Sequence, residues 1–301
     1  QIRRFYKNAR SLILNGDDET SLDQFLLNGK YSNEIIRHLI IPLVASVWTT
    51  PAAEVGSFPA KYLFEFMDNH CMLSFTERRV WQTIKGGSQN YVDSLVSHLP
   101  YGVHLNTTVT GINRDASSVT LSFKKHAPQQ FDAVILATHS DQSLRMLSDP
   151  SEFELKALGG IKYSESNVYL HTDDSVMPKR ARAWCSWNYR TDECASRPKT
   201  SQVTYHLNRL QKLESTKNYF VSLNMGDQIN DKAILSEFKQ SHPMYRKNSL
   251  ESQSMIQALN ASNSPTFFAG AYLGHGFHED GFQSGLFAAN SLMNWSKAIE
   301  F

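Results

Sequence analysis

The sequence predicts a mixed α/β protein, and three stretches carry that expectation. Near the end, Thr266–Ala271 is a short apolar run that reads as a buried strand. A turn punctuated by Gly270, Gly274 and Gly276 follows it, then a helix whose first turn holds Glu279 and Asp280. Phe131–Ala137 is near-continuously apolar, the pattern of a strand in a parallel sheet buried on both faces. The first 75 residues carry their apolar side chains at helical rather than alternating spacing.

Taken in order, Ser21 caps a helix that stops at Asn28-Gly29. Residues Ser32 to Trp48 continue as a helix with Ile35, Ile36, Leu39, Ile40 and Leu43 on one side, bent at Pro42. Phe58-Pro59 opens another, carrying Tyr62, Leu63, Phe66 and Met67. So much aromatic surface on short helices reads as the wall of an apolar cavity, or as ordinary core. Gly86-Gly87-Ser88 precedes a helix with Tyr91, Val92, Leu95 and Val96. Val103–Ile112 and Val119–Phe123 alternate, as antiparallel strands joined by a hairpin at 113–116 would. Phe131–Ala137 ends at Thr138-His139, and an open α/β sheet binds ligands beyond such carboxyl ends. Four further strands are expected at 167–171, 183–189, 201–207 and 219–223, with a polar loop at Asp192–Thr200. In the last helix Phe282, Leu286, Ala289 and Met293 mark one apolar face, while Gly285, Ala288 and Ala289 keep it thin enough to pack on a sheet.

The 301 residues suffice for one large or two interleaved domains. Thirty basic against twenty-nine acidic side chains leave a net charge of +1, so no global field recruits nucleic acid. Local basic clusters (Arg78-Arg79, Lys179-Arg180 with Arg182) read as solvated faces. Three cysteines, Cys71, Cys185 and Cys194, are odd in number and lack a C-x-x-C pair. They point away from a disulfide framework and a metal site, and toward a reducing cytoplasm. The longest apolar run, Leu39–Trp48, is well short of the roughly 20 residues of a membrane span, and there is no signal-peptide pattern. No Ser/His/Asp set or carboxylate pair argues for hydrolysis, and His70, His98, His171 and His206 read as structural.

A strand, a glycine turn and a helix N-terminus together make a site for a phosphate or a ring carbonyl, because glycine admits close approach and the helix dipole favours negative charge. Residues 266–289 resemble the C-terminal flavin-binding motif of the flavin-containing amine oxidase superfamily. Ile41–Trp48, Trp81–Val92, Phe131–His139, Trp184–Tyr189 and Thr204–Gln211 resemble its bacterial branch of predicted NAD/FAD-binding, amine-oxidase-like proteins, in the family's order. The resemblance implies a partial FAD-binding Rossmann-like domain interleaved with a helix-plus-sheet substrate domain. The expected division is 1–75 (helical substrate part), 76–149 (FAD part), 150–262 (substrate sheet) and 263–301 (C-terminal FAD segment).

For the cofactor the resemblance implies contacts from Gly86, Gly87, Val109, Ala137, Thr138, Gly270, Gly274 and Gly276, and from Phe277, His278, Glu279, Asp280 and Gly281 at the helix start. A backbone amide near His278 reaches the ring C2 carbonyl, where a reduced flavin is negative. His278 and Lys85 are the candidate catalytic side chains, each readable instead as a solvent-facing residue. Trp48, Trp184, Trp187, Tyr189 and Tyr205 are the candidate substrate wall, an aromatic cage for an amine or an apolar tunnel for a lipid-like chain. Two features depart from the family: Ala271 stands where an acidic residue is common after Phe-Ala-Gly, and no G-x-G-x-x-G turn occurs anywhere in the chain.

The expectation is therefore a chain lacking roughly the first hundred residues of its relatives, binding FAD weakly or not at all. Two or three lost charge-assisted hydrogen bonds at roughly 1.5–3 kcal/mol each would weaken it by about two to six decades. An uncovered sheet edge would favour self-association. Two functions follow. One is an FAD-dependent oxidoreductase acting on a C–N or C–C bond of a small amine or lipid-like substrate. The other is a flavin-free binding or structural domain.

Overall fold

The computed structural model describes residues 1–16, 18–76, 79–115, 118–191 and 201–299. The expected loop at Asp192–Thr200, with Cys194, lies outside the described residues, as do Arg78 and the hairpin tip at Ala116. The chain begins with α1 (Ile2–Asn15), α2 (Leu22–Asn28) and α3 (Asn33–Ile35). A π-helical stretch (Ile36–Ile40) leads into α4 (Ile41–Trp48), then α5 (Ala60–Asn69) and α6 (Gln89–Ser97). Four strands follow, β1 (Val109–Arg114), β2 (Val119–Phe123), β3 (Gln129–Phe131) and β4 (Val134–Leu136), then α7 (Ser140–Met146) and α8 (Glu152–Gly159). Next come β5 (Lys162–His171), β6 (Trp187–Arg190), β7 (Gln202–His206), α9 (Leu207–Gln211), β8 (Phe220–Leu223) and β9 (Ile234–Met244). The chain closes with α10 (Lys247–Asn260), β10 (Thr266–Phe268) and α11 (His278–Ile299).

Contacts gather these elements into two units, 1–102 with 163–242 and 103–162 with 243–301. The units cut across the expected segment edges: 76–102 groups with the helical segment and 243–262 with the C-terminal one.

In the first unit the sequence signals act as expected. Ser21 and Gln24 form a reciprocal capping box at α2. Pro42 has no N–H to return to the carbonyl four residues back. The turn before it opens to π geometry, the Ile41 amide reaching Ile36 O, five residues away. Phe5, Phe25, Tyr31 and Phe64 pack edge-to-face at 4.6–5.7 Å between centroids, with Phe25 and Tyr31 stacked at 5.9 Å, closing the core between α1, α2 and α5. The five-stranded sheet runs β6-β7-β8-β5-β9, with β6, β7, β8 and β5 antiparallel in turn. Alternation gives it two distinct faces. Val168, Val203, Tyr205, Val221, Leu223, Trp187 and Tyr189 share one; His171, Thr204, His206, Phe220 and Ser222 share the other. Residues 183–184 lie in or beside a 3-10 turn rather than a strand, and β9 was not foreseen, being mostly exposed and carrying Pro243.

The second unit holds a three-stranded antiparallel sheet, β1-β2-β3, and a parallel pair, β10 with β4. Thr266, Phe267 and Phe268 lie opposite Val134, Ile135 and Leu136, the neighbour relation expected from the two apolar runs. Phe131–Ala137 is not one strand, however. Phe131 ends β3 in the antiparallel sheet and is 41% exposed; the chain breaks at 132–133 and re-forms as β4. Likewise the alternation at 103–108 makes no strand, and Leu105 is 78% exposed. On α11 the buried side is not Phe282, Leu286 and Met293, which are exposed, but Ser284, Ala288 and Trp295, with Trp295 against Phe267. The sequence marked an apolar stripe, and the helix carries a second.

Two buried polar devices hold this unit. Arg114 on β1 reaches both oxygens of Glu154 on α8, which Ser151 also caps, and Asp149 beside it. On the free side of β10, the side-chain amide of Asn260 accepts from Phe268 N–H (2.7 Å) and donates to Phe268 O (2.8 Å).

Candidate functional site

The second unit builds the glycine loop between two strand ends. β10 and β4 run parallel, so Ala269-Gly270 and Ala137-Thr138 leave the sheet at the same edge, and the Ala269 amide donates to Leu136 O (3.0 Å). Ala137 and Thr138 are exposed there, and Thr138 Oγ1 hydrogen-bonds Ser143 Oγ (2.8 Å), turning the chain into α7. The loop 270–277 is fixed from both sides. Gln253 on α10 donates to Tyr272 O (2.8 Å) and Gly274 O (3.0 Å), while Ser284 on α11 accepts from Gly270 N–H (2.9 Å) and donates to Gly281 O (2.8 Å). A side chain at Gly274 would overlap the Asp280 carboxylate. Gly276, at φ +95°, leaves no room for a Cβ beside Tyr245 Oη. The loop is compact because these positions are glycine.

At the start of α11, Asp280 accepts from the Phe277 amide (2.9 Å), and Glu279 accepts from Gln283 (2.7 Å). The helix N-terminus thus receives an anion from its own chain, which competes with an external phosphate at that amide. Gly276, Phe277, His278 and Glu279 are exposed, and Gly281 leaves ordinary contact distance to Ala271. The rim along the carboxyl edge is exposed, and the Asp280 carboxylate already occupies the Phe277 amide there. Val109 begins β1, opposite Phe123, at a bulge in the ladder. Gln253, Tyr272 and Ser284 were not foreseen as loop-holding residues. Serine two turns into a helix that follows a glycine loop was the available signal. A separate polar cleft of about 380 Å³, lined by Arg114, Asp149, Glu154, Ser264 and Thr266, lies at the start of β10 rather than at its carboxyl end.

The first unit holds the other expected residues. Gly86 and Gly87 form a turn at φ +81° and +89°, closed by Gly87 N–H to Ile84 O (2.9 Å); Asn90 Nδ2 donates to Lys85 O, and the Lys85 side chain is exposed. The five aromatic residues divide three ways. Trp48 is 6% exposed, wedged between Phe58 and Phe66. Trp184 donates from its indole to Pro178 O and meets Phe220 and His206, on one face of the sheet. Trp187, Tyr189 and Tyr205 share the opposite face, Trp187 edge-on to Tyr205 at 6.1 Å. Tyr205 Oη donates to Ser46 O on α4 (2.9 Å), and burial pushes its phenol well above the ordinary tyrosine value.

The histidine face is a closed hydrogen-bond chain. The Asp173 amide donates to His171 Nδ1 (3.2 Å), so the neutral ring carries its proton on Nε2 and gives it to Ser222 Oγ (2.8 Å). Ser222 continues to Thr204 Oγ1 (2.7 Å), which donates to Met225 Sδ. Burial lowers the His171 pKa, with Asp173 opposing. The ring points a donor at the serine, so it is no base for it. Among the described residues no group of three or more His, Cys, Asp or Glu is placed to hold a metal, and no helix is long and apolar enough to cross a membrane.

Solved structures share this fold. One titled as a CLA-producing fatty acid isomerase from P. acnes matches at TM-score 0.59 and 15% identity, over 92% of this chain and 66% of its own. Wild-type putrescine oxidase bound to putrescine matches at TM-score 0.63 and 13% identity, over 100% of this chain and 75% of its own. The chain thus spans about two thirds to three quarters of these neighbours' length. No curated protein matches it. The model of the flavin-containing amine oxidoreductases matches residues 8–293, from within α1 to within α11. The chain belongs to that family.

Proposed function

We propose that this chain supplies the ring-side loop and the substrate-side sheet of an FAD-dependent oxidoreductase that oxidises a C–N or C–C bond of a small amine or lipid-like molecule. One observation carries the reading: the rigid strand–glycine loop–helix at 266–299, held by Gln253 and Ser284 and opening beside Ala137 and Thr138. FAD, when bound, supplies the hydride acceptor. Ala137, Thr138, Gly276 and Phe277 are the residues that would border its ring, and the N-terminal dipole of α11 favours charge placed there, offset by Asp280. Trp187, Tyr189 and Tyr205 would form the wall that orients and desolvates the substrate. That a fatty acid isomerase and a putrescine oxidase share the fold supports both a lipid-like and an amine substrate. The unpaired Cys71 and Cys185 favour a reducing, cytoplasmic setting, and the exposed apolar stripe of α11 favours self-association.

The test is to titrate FAD into the purified chain and follow the visible flavin spectrum through gel filtration. Weak binding, abolished by Gly276→Val, is the expected result. Tight stoichiometric binding would place the affinity in this chain rather than outside it. No binding at any concentration would favour the flavin-free binding domain.

A further inference from the structure

The glycine loop before α11 already holds an anion, and the anion is its own. Phe277 O accepts the first hydrogen bond of α11, from Gly281 N–H (3.1 Å), so Phe277 stands at the N-cap and Asp280 at the third helical position. An N-cap residue ordinarily brings a side-chain oxygen, and phenylalanine has none. The chain uses the reverse half of a capping box instead: Asp280 Oδ2 reaches back to accept from the Phe277 amide (2.9 Å).

Gly274 shows how closely the loop is built around that carboxylate. Its φ of −132° is open to any residue, so its conformation does not call for glycine. Room does, because a Cβ on Gly274 would overlap Cβ, Cγ and Oδ1 of Asp280. Asp280 is half-buried; Glu279 beside it is exposed and accepts from Gln283 (2.7 Å). From Thr266 to Gly285 the sequence holds these two acids and no lysine or arginine. With its histidines neutral, the stretch carries two negative charges against a dipole end equivalent to about half a positive charge. A glycine turn leading into a helix N-terminus ordinarily attracts anions. Here its own charge opposes them.

We propose that Asp280 is a specificity-determining residue of this loop, a built-in anion that shuts negatively charged groups out of the start of α11 and leaves its rim to uncharged ring edges. The inference rests on the reading of 266–299 as the ring-side loop of a flavoprotein. It adds to that reading the charge of the ligand atoms the loop admits. A neutral ring carbonyl is accepted; a phosphate, a carboxylate head or a ring that has become negative is repelled. Like charges a few ångströms apart near a protein surface repel strongly enough to change affinity by more than a decade.

The test uses the full chain and two probes, inorganic sulfate and lumiflavin, the neutral flavin ring without a phosphate tail. Asp280→Asn removes the charge and keeps a carbonyl oxygen for the Phe277 amide, whereas Asp280→Glu keeps the charge. Sulfate affinity is read from the rise in Tm and from amide resonance shifts of residues 277–281, against sodium chloride of equal ionic strength. Lumiflavin affinity is read from the quenching of its fluorescence. The Asn variant is expected to bind sulfate at least about tenfold more tightly than the wild type and the Glu variant, while all three proteins bind lumiflavin alike. Equal sulfate affinity in the wild type and the Asn variant overturns the proposal. So does a Glu variant that matches the Asn variant, which would make the effect one of shape. A gain in lumiflavin affinity as large as the gain for sulfate also overturns it, since the loop would simply have opened. Lumiflavin that binds none of the three proteins counts against the flavin reading, and the sulfate comparison still decides the role of Asp280.

Discussion

Helices α5 and α6 are near neighbours in sequence and similar in amphipathic pattern, yet they end in opposite states. In α5, Ala60, Leu63, Phe64, Phe66 and Met67 are buried. In α6 no residue is buried, and Val92, Leu95 and Val96 face out, within a longer exposed apolar run that includes Val80, Trp81, Leu99 and Tyr101. The same contrast divides α11 along its own length, with Ala288 and Trp295 sealed and Phe282, Leu286 and Met293 open. An apolar stripe therefore states that a helix is built to be covered. It does not state that the cover is in the same chain.

The comparison breaks or sharpens under substitution. Phe64→Ala should cost about 3–5 kcal/mol, because the ring is fully buried against Phe5 and Phe25; a loss under 1 kcal/mol in urea unfolding would mean the α5 core is not sealed. Next is the buried carboxylate of the second unit. Burial works to raise the Glu154 pKa, but the Arg114 and Ser151 hydrogen bonds win and hold it below the usual carboxylate value. A depressed folded pKa gives stability that is present above about pH 4.3 and is lost as pH falls through the folded value. Glu154→Gln should cost about 1.5–3 kcal/mol at neutral pH and flatten that acid limb, checked by denaturant midpoints across pH.

His171 acts at a higher pH. Its folded pKa is lowered by burial, so the unfolded chain takes up the proton first, and stability should fall as pH drops below about 6.5. The loss is about 1.4 kcal/mol per unit of lowering, and His171→Gln should remove it. The smallest effect belongs to α6. Leu95→Lys should change stability by no more than about 0.5 kcal/mol, while reducing any concentration-dependent association seen by light scattering. A large loss of stability there would show that the stripe has a partner within the chain after all.

Much of the fold was legible in local chemistry. The Ser21 cap, the stop at Gly29, the bend at Pro42 and the pairing of the 134–136 and 266–268 runs each follow from residues that act on their own backbone or on an unmistakable apolar run. Failures came where tertiary context chose between equal patterns. Phe131 was divided from Val134 because the antiparallel sheet claimed its side of the run. Helix α8 was missed although Ser151 and Glu154 spell a capping box. The five aromatic candidates were legible as composition only: which rings share a face depends on strand register, and that set Trp187 with Tyr205 but left Trp184 behind the sheet and Trp48 inside the helices.

The Asn260 side chain has a consequence for assembly. A carboxamide carries the same donor and acceptor as a peptide group, so on the outer side of β10 it occupies the place another strand would take. The parallel sheet is thereby terminated on that side by a single residue from α10. Any strand added to it, from whatever source, has the β4 margin as its place to join, and the order of strands beyond the pair is fixed in advance.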